Sequence, residues 1–364
     1  SGENVLAFDS AGAYLVESPT ISISLHNNGG GEYFDAETGS FVSNSGKSIS
    51  VEHLNKTRNE GGGLYLYTAA FSTVSTRTST PGWAVRMKVL NGSMSVSGTM
   101  SLQVEEIIPN GTSYEIGDDY VVLTASEAAG LSSVLEMFSV GDVVTLTTSC
   151  SDSRLVNAQW ATGCGDILVS NGSVTDSSNW DSALFNRHPR TAVGIKSDGS
   201  IVCYVIDGRS DSYSNGARLS EIAADLLSMG CIYVVNLDGG GSSTMAVKLP
   251  GSNTCSIVNS PSDGYARSCG TYMLLVTDIV SNGVAQNLFL ENDGIFVLAG
   301  SSVELKYLAS DAASNAVAVP GDITAISVSG LGTISGSVYT AGVAAGDDRI
   351  SLSSYTGASG YGTL

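Results

Sequence analysis

The chain has 364 residues, 42% of them hydrophobic, and a formal net charge of −19 from 35 acidic and 16 basic side chains. That length accommodates two or three domains, and that apolar content excludes a chain disordered throughout. The charge argues against nucleic acid and anionic membrane surfaces as partners, and no apolar run reaches the roughly 18 residues of a spanning helix.

Residues 1 to about 150 read as short strands separated by Gly, Asn and Ser turns, with "GLYLYTAAF" (63–71) and "GWAVRMKVL" (82–90) as the clearest. The N-terminus, "SGENVLAFDS", shows no signal peptide and reads as a processed or engineered start, so that absence says little. One helix is predicted over 126–139: Ser126 caps it, Glu127 sits in its first turn, and Leu131, Val134, Leu135 and Phe138 share a face. Gly141 follows as the stop.

Residues 150–276 hold all six cysteines. Cys150 with Cys164 and Cys255 with Cys269 have the same spacing, and each would close a loop worth roughly 3 kcal/mol as a relaxed disulfide. Cys203 and Cys231 lie in apolar runs and read as buried thiols or a third pair. With no C-x-x-C and three scattered histidines, a zinc site is not expected. "RTAVGIKSDGSIVCYVIDGR" (190–209) predicts a hairpin turning at Asp198-Gly199. "LSEIAADLLSMG" (219–230) predicts an amphipathic helix capped by Ser220, with Ile222, Ala223, Leu226 and Leu227 buried and Gly230 as the stop. The strand "CIYVVNL" follows. Two apolar strands thus end in Asp-Gly, at Asp207 and Asp238. If these strands were parallel neighbours, both carboxylates would emerge at one sheet edge, where α/β sheets place ligands.

The turn "NLDGGGSST" (236–244) joins Asn236 and Asp238 to Gly239, Gly240 and Gly241, then Ser242, Ser243 and Thr244. Glycines there permit positive φ and let a ligand reach backbone amides. The turn lacks the Gly-Lys-Ser/Thr of a nucleotide P-loop and is not the G-x-S-x-G of a nucleophile elbow. Five of the ten arginines fall between Arg187 and Arg267, and their planar forks suit phosphate oxygens. Arg190 and Arg209 adjoin apolar strands, so each requires a specific partner.

Residues 279–364 lack Cys and Trp. The segments "GIFVLAG", "SSVELKYLAS", "ITAISVSG" and "DDRISLSS" alternate like strands of a small sandwich, and "GYGTL" carries no strand signal.

"HPRTAVGIKSDG", "YVIDGRS", "NLDGGGSSTM" and "VNSPSDGYARSC" occur in an order and at spacings that resemble the phosphodiester glycosidase family. The likeness is strong over 150–276 and looser through "LNKTRNEGGGLYLYTAAFS" (54–72) and "GDVVTL" (141–146). Relatives carry an earlier Asn-Gly-Gly-Phe-Phe-like segment that "HNNGGGEYFD" (26–35) only faintly echoes, so residue 1 is expected to fall inside the family domain. The resemblance implies a mixed β-sheet catalytic domain with few helices over 1–276, whose N-terminal part is expected to be missing. Residues 279–364 lie outside the likeness and read from their alternation as an appended all-β immunoglobulin-like sandwich, so the chain as a whole is expected to be α+β. The resemblance also implies a hydrolase that cleaves the glycosidic bond of sugar-1-phosphodiesters, releasing the sugar and a phosphomonoester, and the scarcity of lysine beside abundant Gly, Ser, Thr, Val and Asn leads us to expect a secreted or cell-surface protein. A non-catalytic carbohydrate-binding or adhesion protein is the alternative.

On this resemblance Asp238 and Asp207 are the candidate catalytic carboxylates, since sugar hydrolysis commonly places two beside the scissile bond. Arg190, Arg209 and Arg267 are candidates for phosphate. Gly239, Gly240, Gly241, Ser242, Ser243 and Thr244 suit phosphate or sugar oxygens, and Asn236 and Asn259 suit sugar hydroxyls. Ser260, Pro261 and Asp263 read as a loop near the site, and His188 as a turn or packing residue that could serve as a general acid. No cofactor is demanded, although a divalent cation such as calcium would find oxygen ligands near the two aspartates.

Overall fold

The computed structural model of the protein describes residues 3–270 and 272–364. The chain is mostly β, with one α-helix, Leu219–Ser228, and several short 3-10 turns among the described residues. It divides into two compact units: 1–179 with 194–202 and 226–235, and 180–193 with 203–225 and 236–364.

The first unit is built on an eight-stranded sheet. Its strands lie in the order Ser48–Val51, Ile21–Gly29, Val143–Cys150, Gly98–Gly111, Gly82–Asn91, Tyr120–Ser126, Tyr65–Thr68 and His53–Leu54. Its pairings are antiparallel except the last, where His53–Leu54 runs parallel to Tyr65–Thr68. Alternate side chains of these strands, among them Leu25, Leu66, Val85, Met87, Leu102, Leu123 and Leu146, form one core, as a pleat with one buried face requires. Asp142 is fully buried and accepts from Asn27 Nδ2 (2.7 Å), Gly31 N (2.9 Å) and Ser139 N (2.7 Å), so its desolvation is offset by three donors.

The helix expected over 126–139 is instead two 3-10 stretches, Glu127–Ala129 and Ser132–Met137. Gly130, at φ 67° and ψ 23°, breaks them, and Ser126 belongs to the preceding strand and makes no side-chain cap. Its Oγ accepts from Gly61 N at 3.2 Å instead. The predicted apolar face survives, with Val134 and Phe138 in the core and Leu131 and Leu135 packed against it.

A five-stranded sheet carries the motif strands in the order Ser173–Val174, Ile167–Ser170, Cys231–Asn236, Arg190–Lys196 and Ile201–Ile206. The strands leading to Asp207 and Asp238 are therefore not neighbours, as supposed above; Arg190–Lys196 lies between them. The hairpin turn forms as expected, with Gly199 at φ 85° and Ser200 N bonded to Asp198 Oδ1 at 2.9 Å. The helix begins at Leu219, one residue before its predicted cap. Glu221 does the capping, accepting from Arg218 N at 2.8 Å.

In the second unit, residues after 284 form two sheets. One has five strands, in the order Tyr307–Ser310, Asn287–Leu290, Ser359–Thr363, Arg349–Ser353 and Thr324–Ser327. The other has three, in the order Ser302–Glu304, Val338–Ala341 and Gly332–Ser335. They share a core of Leu288, Leu290, Leu305, Ala309, Tyr339, Ile350 and Leu352. "GIFVLAG" is not a strand, whereas the "GYGTL" stretch is.

All six cysteines are free thiols, against the expected pairs. Cys150 ends a strand of the eight-stranded sheet and Cys164 ends Trp160–Cys164, a strand of a separate three-stranded sheet. Cys203 and Cys231 sit on strands with a third between them, about 9.6 Å at normal strand spacing, beyond the roughly 7 Å that a disulfide spans.

Candidate active site

The candidate catalytic and substrate-binding residues all fall in the second unit. Leu237 N donates to Thr191 O (2.9 Å) and Gly240 N to Pro189 O (2.9 Å), which lays the glycine turn along the start of strand Arg190–Lys196. His188 and Ala217 exchange backbone hydrogen bonds of 3.3 and 3.1 Å. Glycines make this convergence sterically feasible. A Cβ on Gly216 would strike the His188 carbonyl, and one on Gly208 would come 2.8 Å from Pro189 N.

Asp207 and Asp238 occupy different surroundings. Asp207 Oδ1 accepts from Asn259 Nδ2 at 2.8 Å, its Oδ2 from Ser260 N at 2.9 Å, and its main-chain carbonyl from Ser214 Oγ at 2.6 Å. Asp238 is exposed, and its Oδ2 accepts from Ser242 Oγ at 2.8 Å. Asn259 also donates to Ser243 O (3.0 Å) and accepts from Met245 N (2.8 Å), so both ends of its amide are engaged within the protein. Ser243 is buried, with its Oγ 3.2 Å from Thr191 Oγ1.

The three arginines differ likewise. Arg190 is 2% exposed, and its partners are backbone carbonyls: Leu184 O (2.6 Å), Asn186 O (2.7 Å) and Ala217 O (3.4 Å). Burial, and then the charge of Arg209, hold its guanidinium below the usual arginine range. Arg209 is exposed and has no hydrogen bond or ion pair among the described residues. Its backbone sits at φ 61°, a left-handed conformation costing a non-glycine residue about 1–2 kcal/mol. Its guanidinium rests against Gly240, where a Cβ would come 3.0 Å from Nη2. Arg267 is paired with Asp263 through Nε–Oδ2 and Nη2–Oδ2 contacts of 2.8 Å each, and this pair overlies Gly241, where a Cβ would collide with both side chains.

Several buried polar atoms here have no protein partner: His188 Nδ1, Asn236 Oδ1, Thr244 Oγ1 and Ser262 Oγ. Asn236 is 3% exposed, and a buried amide oxygen without a donor costs about 1–3 kcal/mol. Burial, followed by the charges of Arg190 and Arg209, keeps the His188 imidazole below its ordinary pKa and so neutral at neutral pH. The sequence signal for His188 was only its place before Pro189. Thr191 carried none, because its partner Ser243 is 52 residues away, and Ser214 carried none, because nothing in "SDSYSNG" shows that its hydroxyl turns back to the Asp207 carbonyl seven residues earlier. Among the described residues no three His, Cys, Asp or Glu side chains are grouped to hold a metal ion. A cleft of about 290 Å³ lies elsewhere, in the first unit, lined by Glu60, Thr80, Pro81, Ser126, Glu127 and Ala128.

The phosphodiester glycosidase family model matches residues 84–276, more than half of the chain. The chain belongs to that family. It is 42% identical over 82 residues to YomE, an uncharacterized protein derived from the SPbeta prophage of Bacillus subtilis (strain 168), covering 22% of this chain and 12% of that relative. A hypothetical protein from Synechocystis has a TM-score of 0.48 at 18% identity, covering 67% of this chain and 41% of its own. A Burkholderia pseudomallei protein described as exported has a TM-score of 0.48 at 20% identity, covering 72% and 55%. The catalytic domain of zebrafish N-acetylglucosamine-1-phosphodiester alpha-N-acetylglucosaminidase, auto-inhibited by its pro-peptide, has a TM-score of 0.25 at 18% identity, covering 71% and 76%. No helix among the described residues is long and apolar enough to cross a membrane.

Proposed function

We propose that the protein is a hydrolase of sugar-1-phosphodiesters, acting outside the cell on a glycan or polymer, and that the Asp238 turn is its active site. Water replaces the phosphate oxygen at the anomeric carbon: the C1–O bond breaks, the sugar leaves with the water oxygen, and the phosphomonoester keeps the bridging oxygen. The carrying observation is a guanidinium, Arg209, held without an acidic partner at a strained φ against Gly240, in the turn that follows Asn236, whose buried Oδ1 is unsatisfied. An anion and a hydroxyl donor are what those two groups lack, and a sugar phosphodiester supplies both. Asp238 is the carboxylate that supports the anomeric centre, with Ser242 fixing its rotamer. Asp207 positions the 259–260 segment. Arg190 contributes charge from beneath the site, and Thr244 receives a substrate oxygen. Residues 1–276 form the catalytic part, and 279–364 an immunoglobulin-like module.

The test is hydrolysis of a nitrophenyl sugar-1-phosphodiester in oxygen-labelled water. Label is expected in the sugar and none in the phosphate. Label in the phosphate would mean P–O cleavage and a different enzyme; no turnover by the full chain would leave a binding protein.

A further inference from the structure

Gly240 and Gly241 each lie under a guanidinium, but the two arginines are in opposite states. Arg209 has no anionic partner, whereas Arg267 is bonded to Asp263 four residues earlier. Both members of that pair are wet, at 48% and 23% exposure. Two features separate it from an ordinary surface pair. It lies on a glycine whose Cβ would displace both side chains, so the turn is shaped around it. It also belongs to a segment tied back to Asp207 through Asn259 and Ser260, so Asp263 is delivered to the turn by a fixed loop.

We propose that Asp263 is a built-in competitor for the substrate anion: its carboxylate occupies Arg267 in the free enzyme, and an incoming phosphoryl group takes its place, joining Arg267 to Arg209 across the Gly240–Gly241 step. This rests on the reading of the turn as a phosphodiester site. Energetics favour the exchange. A solvent-exposed ion pair is worth little, because water and salt screen it and two side chains must be ordered to make it. A phosphoryl group offers the same fork a second charged oxygen and meets a second guanidinium. Asp263 then sets selectivity: a neutral sugar cannot displace it, and a weak anion pays the full competition.

The experiment is titration of the full chain with inorganic phosphate by calorimetry, for wild type, Asp263→Asn, Arg267→Gln and the double variant. Asp263→Asn removes the competing charge and should tighten phosphate up to about fivefold, the most that an exposed pair withholds. The gain should vanish in the double variant, and Asp263→Asn should lower KM for a sugar-1-phosphodiester without raising kcat. Unchanged melting temperatures confirm that the loop keeps its fold. Phosphate binding by Asp263→Asn equal to or weaker than wild type overturns the competitor role while leaving the anion site in place. Absence of phosphate binding in wild type and in every variant overturns the anion site itself.

Discussion

Asp238 receives a hydrogen bond at Oδ2 from Ser242, while Asp207 receives one at each oxygen. Replacing Asp238 by Asn keeps the size and removes the charge. We expect kcat to fall by at least about 10²-fold with the melting temperature unchanged, the lower end of a general acid–base contribution. A folded variant with normal turnover would remove Asp238 from the chemistry. Asn259→Ala should instead cost stability, about 1–3 kcal/mol by urea unfolding, because it leaves Asp207 Oδ1, Ser243 O and Met245 N without their partner. The strand-end places of Asp238 and Arg209 were legible because glycines and charges there punctuate a sequence locally, although Arg209 is exposed and lacks the specific partner expected from its apolar neighbours. The engagement of Asn259 was not, since its partners lie 52, 16 and 14 residues away and nothing in "VNSPSDG" indicates which backbone it meets.

At the scale of elements, the glycine turn is the one whose conformation its sequence dictates. Gly240 sits at φ 78°, so Gly240→Ala should destabilise the protein by about 1–2 kcal/mol. It should also raise KM, because the new methyl pushes the Arg209 guanidinium from its place 3.0 Å away. Loss of stability with an unchanged KM would separate the turn from Arg209. Local pattern located the hairpin, the helix and the apolar face of 126–139 correctly. It failed where one residue changed the hydrogen-bonding mode, as Gly130 does by breaking a helix into 3-10 turns. It failed again at Ser359–Thr363, a central strand masked by its glycines. Gly360 is needed there because a Cβ would run into the Leu288 carbonyl. Strand order was also hidden: no local signal says that Arg190–Lys196 divides the two strands that end in Asp-Gly.

For the whole molecule, six free thiols predict that reductant leaves the melting temperature unchanged. Alkylation of the native protein should reach exposed Cys255 first and buried Cys164 and Cys231 last; unreduced peptides joined through any two cysteines would contradict this. The perturbed groups also shape a stability profile against pH. His188 is held low by burial and by Arg190 and Arg209, so the unfolded chain binds its proton first. Stability from His188 is therefore present above its unfolded value of about 6.5 and is lost as pH falls below it. Asp198, lowered chiefly by the Ser200 amide, adds a further loss below about pH 4. Burial raises Cys164 to about 12, so its contribution is present below the unfolded thiol value of about 8.5 and is lost as pH climbs from there. The melting temperature should thus be highest between about pH 6.5 and 8.5, with Cys164→Ala flattening the alkaline limb and His188→Gln the first part of the acid limb.

The clasp on Asp207 also bears on how the protein ages. An asparagine followed by serine is chemically fragile, because the next backbone nitrogen can attack the side-chain amide, expel ammonia and leave an acid behind. In Asn259-Ser260 both reacting groups are occupied by one carboxylate: the amide nitrogen by Oδ1 of Asp207 and the backbone nitrogen by its Oδ2. Asp207 holds the attacking atom and its target in a geometry where neither is free to turn toward the other. Were the clasp loosened, Asn259 would become a slow clock, and each tick would place a new negative charge against Asp207 and pry the loop further open. Peptide mass spectra of stored protein should show Asn259 intact in the wild type and progressively converted in Asp207→Ala.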